Sequence, residues 1–161
     1  PVTSTYPASA YWGINESITY GSRTILSSTA GIVDTGTTLI LITTNGFNCY
    51  KVATGGVADA STGLLRITSS QYSALKTLNF NINGRTYGLT PNAQIWPHSL
   101  NTAIGGKANS IYLVVANIRA NSGSGLYFIN GYTFLERFYS VYNSTNRVGF
   151  ATTPYTSVTS N

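Results

Sequence analysis

AGIVDTGTTLILI, residues 30–42, is an apolar, β-branched run interrupted by a single polar cluster, Asp34-Thr35-Gly36-Thr37. Apolar segments of this length suit buried strands, so the reading is two such strands joined by a tight loop. A carboxylate inside such a run is expensive to bury unless donors surround it. Thr35, Gly36, Thr37 and Thr38 supply hydroxyls and closely spaced N–H groups for that purpose. Asp and Gly are ordinary turn residues too, but hydrophobic flanks on both sides argue against a plain surface turn. An Asp held this way is poised to orient or deprotonate a water, provided a second ionisable group carries the complementary proton.

Working outward, the segment 12–20 places Trp12, Ile14 and Ile18 on one parity, predicting a half-buried strand with Glu16 as its exception. A helix is expected after Thr43 or Thr44 as N-cap, carrying Phe47, Tyr50 and Lys51 and stopping at Gly55-Gly56. A second helix, capped by Ser69 or Ser70, is expected to turn Tyr72, Leu75 and Leu78 inward and Lys76 to solvent. Phe80 to Leu89 alternates on both sides of Asn83-Gly84, the signature of a type I′ hairpin. Gln94 to Trp96 and residues 111–116 read as strands, with a loop between them. Residues 133–139 show helical spacing with Phe134, Leu135 and Phe138 inward and Glu136 and Arg137 outward. Two closing strands then flank the turn Asn143-Ser144-Thr145-Asn146. The sum is a mainly β fold with a few short helices. No linker or repeat divides it, so residues 1–161 are expected to form a single domain.

Composition narrows the chemistry. With 161 residues, 42% of them hydrophobic and only 8% charged, the chain can bury a core, and no apolar run is long enough to span a bilayer. The formal charge of +5 is scattered in sequence, which disfavours a nucleic-acid partner or a polybasic membrane anchor. One cysteine, Cys49, excludes an internal disulfide and a cysteine zinc site, and its ordinary role is a small buried hydrophobe. His98 is the only imidazole and sits in a Pro-flanked polar loop, where a surface role is expected. No GxSxG elbow, phosphate loop or HExxH pair is present, and no metal or cofactor is expected. Asn15-Glu16-Ser17 and Asn143-Ser144-Thr145 are candidate glycosylation sequons at Asn15 and Asn143. A start at Pro1 is read as a processed or excised product.

Ile32-Val33-Asp34-Thr35-Gly36-Thr37-Thr38 resembles the second active-site motif of the pepsin-type aspartic proteases, with the hydrophobic-hydrophobic-Asp-Thr-Gly-Thr pattern intact. Three further pieces fall in family order. Tyr11 to Ile14 is similar to the strand entering the carboxy-terminal lobe, and Phe128 to Gly131 to the strand passing beneath the active-site loop. Phe134 to Ala151 resembles the closing helix and strands. Together they span nearly the whole chain, in a style similar to the secreted enzymes of basidiomycete fungi. The resemblance implies one lobe of the pepsin-like double-psi β-barrel fold. It further implies acid hydrolysis of peptide bonds in a cleft to which each of two lobes contributes one aspartate, and a secreted, extracellular protein.

Carried over position by position, the resemblance makes Asp34 the catalytic carboxylate and has Thr35 hydrogen-bond to the partner lobe's loop. It makes Gly36, Thr37 and Thr38 substrate-backbone contacts, Ile32 the lining of a leaving-group-side subsite, and Gly131 the support beneath the loop. Trp96 approaches that side or anchors the core. Asn130 departs from the family by replacing the usual Leu before Gly131, Asn143 replaces a common Asp, and the lobe's usual disulfide is absent. Asp59, Glu16 and Glu136 lack the motif, and the two glutamates are expected to face solvent. The implied partners are an amino-terminal lobe carrying the second aspartate, or a second copy of this chain, and a peptide or protein substrate. Alone, the chain is expected to be inactive. A third reading is a non-enzymatic secreted lobe whose half-cleft binds a peptide, glycan or anion.

Overall fold

The computed structural model describes residues 1–160, and its architecture is mainly β. Seven strands form the principal sheet: β1 (Gly13–Tyr20), β2 (Arg23–Val33), β3 (Ile40–Ile42), β6 (Leu78–Ile82), β7 (Arg85–Leu89), β9 (Val115–Asn117) and β10 (Phe128–Asn130). Their order is β7-β6-β1-β2-β10-β3-β9. A smaller sheet joins β4 (Val57–Ala58), β5 (Leu65–Ile67) and β8 (Ile111–Leu113), and β11 (Phe138–Asn143) pairs with β12 (Arg147–Thr152) as a separate hairpin. Three α-helices, α1 (Thr44–Thr54), α2 (Ser69–Ser73) and α3 (Tyr132–Leu135), and four short 3₁₀ turns complete the regular structure of the described residues.

The two arms of the Asp34 segment form strands, but they are not neighbours. β10 inserts between them, parallel to β2 through Ile129↔Ile32 and Asn130↔Val33, and antiparallel to β3 through Phe128↔Ile42 and Asn130↔Ile40. One central strand thus supplies the hydrogen-bonding partners of both arms and lifts residues 34–39 out of the sheet as a loop.

The hairpin at Asn83-Gly84 forms as its sequence demands, with φ of +49° and +77° at the two turn residues. α1 follows Thr43 and ends at Gly55, as the sequence predicts. Elsewhere local pattern yields to tertiary context. The second helix is capped by Thr68, not Ser69 or Ser70: its side chain accepts from the Gln71 amide while the Gln71 side chain accepts from the Thr68 amide. That helix is one turn long, so Leu75 and Leu78 reach the core from beyond it, Leu78 as part of β6. The strand expected over Gln94 to Trp96 shrinks to a single antiparallel bridge, Ile95↔Leu113, flanked by hydrogen bonds from the Val114 amide to the Gln94 carbonyl and from the Trp96 amide to the Tyr112 carbonyl. Asn92–Gln94 make a 3₁₀ turn, because the Gln94 side chain is turned inward to accept from Tyr50 Oη at 2.9 Å and to donate to the Lys76 and Leu89 carbonyls.

Residues 111–116 divide into β8 and β9, which belong to different sheets. Both halves are largely buried, so the apolar run carries no mark of the change. The helix expected over 133–139 stops at Leu135, and Phe138 opens β11. Arg137 points inward. It donates to the carbonyls of Tyr155 and Val158 and to Asn92 Oδ1, strapping the carboxy-terminal segment onto the body.

The core gathers inside the curled principal sheet. Phe80, Phe128, Phe134, Tyr50 and Tyr112 are fully buried, and the Phe134 ring packs against Phe80 and Phe138 with centroids 4.9 Å from each. Burial of these side chains is the main source of stability, at roughly 25 cal/mol per Å² of apolar surface removed from water. Cys49 is half-buried against this core, and Trp96 packs against it too, in line with an anchoring role.

Candidate active site

Asp34 follows the end of β2 and lines an open groove walled by Tyr11, Trp12, Ile32 and Val33, half-exposed while its neighbours Ile32 and Val33 are buried. Its carboxylate is held from its own loop. Thr37 Oγ1 donates to Oδ2 at 2.6 Å and the Gly36 amide donates to Oδ1 at 3.0 Å. Both bonds favour the charged form, and they hold the Asp34 carboxyl below the ordinary aspartate value against a small opposing effect of burial.

The loop rests on the turn after β10. The Asp34 amide donates to the Asn130 carbonyl at 3.1 Å, the Tyr132 amide to the Thr37 carbonyl at 2.6 Å, and the Thr133 amide to the Thr38 carbonyl at 3.0 Å. Gly131 lies flush under this loop, and a Cβ there would overlap the carbonyl oxygens of Thr37 and Leu39. The sequence-derived set is therefore brought together. Asp34, Thr35, Gly36, Thr37 and Thr38 form one loop, Gly131 supports it, and Ile32 lies in the groove wall beside Asp34.

Tyr11 and Trp12 rim the groove, and the Trp12 ring stands 5.2 Å from that of Tyr142. Trp12 is 39% exposed, contrary to the inward position that its shared parity with Ile14 and Ile18 predicts, because it precedes β1 and lines the groove. Thr35 is exposed next to Trp12 and Tyr142. Asn15 is exposed on β1, and Asn143 is exposed at the β11–β12 turn, where its Oδ1 accepts the Thr145 amide and hydroxyl.

The other three acidic residues serve elsewhere. Asp59 closes a turn in the smaller sheet, accepting from Ser61 and Thr62 amides and pairing with Arg66 at 3.5 Å. Glu136 is exposed beside Arg137. Glu16 overturns its expected solvent exposure: it is 1% exposed, and Asn130 Nδ2 donates to its Oε2 at 2.8 Å. The signal was in the sequence, since Glu16 shares the parity of Ile14 and Ile18 and so belongs to the inward face of β1.

Comparison with known proteins agrees with this geometry. The family model described as eukaryotic aspartyl protease matches residues 1–153. Polyporopepsin from Irpex lacteus is 66% identical over the whole chain, which spans 48% of that relative. A crystal structure of aspartic proteinase from Irpex lacteus superposes with a TM-score of 0.98 at 66% identity, covering all of this chain and 48% of that one. The fold is that of a pepsin-like lobe, and the chain belongs to the eukaryotic aspartyl protease family.

Proposed function

We propose that this chain is one lobe of an aspartic endopeptidase, supplying Asp34 as one of the two carboxylates that hydrolyse a peptide bond at acid pH. The observation that carries the reading is the exposed, donor-held Asp34 at a groove containing no other acidic side chain among the described residues. Two adjacent carboxylates cannot both ionise easily, so one keeps a proton and polarises the scissile carbonyl while the other activates water. The Thr37 and Gly36 bonds suit Asp34 to the ionised role. The second carboxylate has to arrive from an amino-terminal lobe facing this groove, a reading favoured by the chain spanning 48% of its relative.

In that assembly Thr35, exposed and with no hydrogen-bond partner for its hydroxyl among the described residues, is available to the opposing loop. Gly36, Thr37 and Thr38 face the peptide backbone, and Ile32 lines a side-chain subsite on the leaving-group side. The products leave as a new carboxylate and a new amine, and no cofactor is required by this chemistry. Secretion to an acidic extracellular medium fits the small number of native carboxylates.

The test is hydrolysis of an unfolded protein at acid pH by this chain alone, by the chain co-refolded with an amino-terminal lobe, and by each with D34N. Turnover only in the paired sample and lost with D34N supports the proposal. Turnover by the chain alone that D34N abolishes would mean a dyad made by two copies. Absence of turnover in a correctly paired sample would refute the protease reading and favour a binding lobe.

A further inference from the structure

Directly under the Asp34 loop lies a buried polar pair that the hydrolytic chemistry does not use. Glu16 on β1 and Asn130 on β10 are 1% and 0% exposed. Besides the 2.8 Å bond from Asn130 Nδ2 to Glu16 Oε2, the pair holds two further buried oxygens without partners, Glu16 Oε1 and Asn130 Oδ1. The main chain of the same asparagine carries the site: its carbonyl accepts the Asp34 amide, and it is registered against Val33 on one side and Ile40 on the other. One residue is therefore bonded through its backbone to the first foot of the active-site loop, sits in register with the second, and is bonded through its side chain to β1.

We propose that Glu16 and Asn130 are a positioning pair for Asp34, a protonated carboxyl and an amide that tie the floor of the active-site loop to β1. This role for the pair rests on Asp34 being the catalytic carboxylate proposed above. An ionised Glu16 would be an acceptor only, with a single donor to satisfy it in an apolar interior. A neutral Glu16 carries a hydroxyl, and the unpartnered Oδ1 of Asn130 is the acceptor of complementary type. One proton thus serves both orphaned oxygens. Burial pushes Glu16 up to about 8, with the Asn130 bond acting in the opposite sense, and no cation is among the groups that influence it.

The surrounding elements agree. β6 and β10 carry no titratable side chain. The titratable side chains of the neighbouring elements are Asp34 on the loop above the pair, Tyr20 on β1, Arg23 on β2, Arg85 and Tyr87 on β7, Tyr139 and Tyr142 on β11, and Arg147 on β12. Arg23 and Arg85 are exposed, and Arg23 lies opposite Tyr20 at the far end of the β1–β2 hairpin. None offers Glu16 a counter-charge that would keep it ionised.

The full chain is tested by hydrogen exchange and carboxyl NMR. Amide protection at Asp34, Gly36 and Thr37, taken relative to the core amide of Leu113, should fall about tenfold between about pH 5 and about pH 9. E16Q keeps an acceptor for Asn130 Nδ2 but cannot ionise, and its relative protection should not depend on pH. The Glu16 carboxyl signal of the parent should titrate well above the ordinary glutamate range. Relative protection in the parent that is unchanged across this range, an E16Q variant that keeps the parent's pH dependence, or an ordinary Glu16 titration would each overturn the proposal. Should E16Q not fold, the parent's protection and carboxyl titration decide it. None of these signals needs a partner lobe or turnover, so their failure is distinct from failure of the protease reading.

Discussion

The Thr37 hydroxyl and the Gly36 amide grip opposite oxygens of one carboxylate, Asp34, at 2.6 and 3.0 Å. Of the two bonds the Thr37 one does more to favour the ionised form. T37V removes that donor while keeping the side chain's shape, so the Asp34 carboxyl should titrate at a higher pH than in the parent. Carboxyl NMR of the chain checks this directly. In a paired enzyme the acid limb of the kcat profile should move to higher pH, since the ionised base is then lost earlier as pH falls. A carboxyl that titrates identically in T37V would mean the hydroxyl is a bystander.

D34N separates chemistry from folding. Asp34 is half-exposed, so replacing its carboxylate by an amide exposes no core and leaves an acceptor for Thr37. Paired with an amino-terminal lobe, D34N should lose hydrolysis by on the order of 10³-fold or more, while its thermal midpoint stays close to that of the parent. Loss of the melting transition together with activity would instead make Asp34 a structural residue.

Stability should run opposite to what carboxylates usually impose. Asp34 and Asp59 are held below their ordinary values, so each stabilises at higher pH and loses that contribution as pH falls through its folded value; both are at the surface and contribute little. Glu16 acts the other way. Its folded value is raised from 4.5 to about 8, so its contribution is complete below 4.5 and drains away as pH rises toward 8. At about 1.4 kcal/mol per unit of displacement this amounts to at most about 5 kcal/mol, much the largest pH effect in the chain. Urea midpoints measured by tryptophan fluorescence should be highest on the acid side and decline to about pH 8. A midpoint that rises over that interval would contradict the buried, neutral Glu16.

The fold class and the Asp34 loop were legible because their signals are local. Apolar flanks around Asp34-Thr35-Gly36-Thr37, the turn residues Asn83-Gly84 and the short helix closing at Gly55 each act within a few residues. The missed features depend on distant partners. Nothing near Gln94 announces that Tyr50 claims its side chain, and nothing near residue 114 announces a change of sheet. Glu16 and Asn130 each stand out as polar residues in apolar settings, yet 114 positions separate them, and only the insertion of β10 beside β2 brings them together.

Gly131 provides the sharpest steric test of how the loop is supported. Its φ of −86° is open to any residue, so a substitution there meets no backbone strain and its cost is contact alone. A methyl group would press into the carbonyls of Thr37 and Leu39, which are backbone atoms that cannot swing aside. G131A should therefore destabilise the chain by about 2–4 kcal/mol, or push the loop upward at the expense of the Tyr132-to-Thr37 hydrogen bond. In a paired enzyme a displacement of the Asp34 carboxylate by even a fraction of an ångström should lower kcat on the order of tenfold to a hundredfold, with less effect on KM. Gly149 on β12 is the control, because nothing lies within 4 Å of a Cβ built there and its backbone is not left-handed. G149A should be close to neutral in urea unfolding. If G131A matched it in both stability and turnover, the loop would not be resting on Gly131.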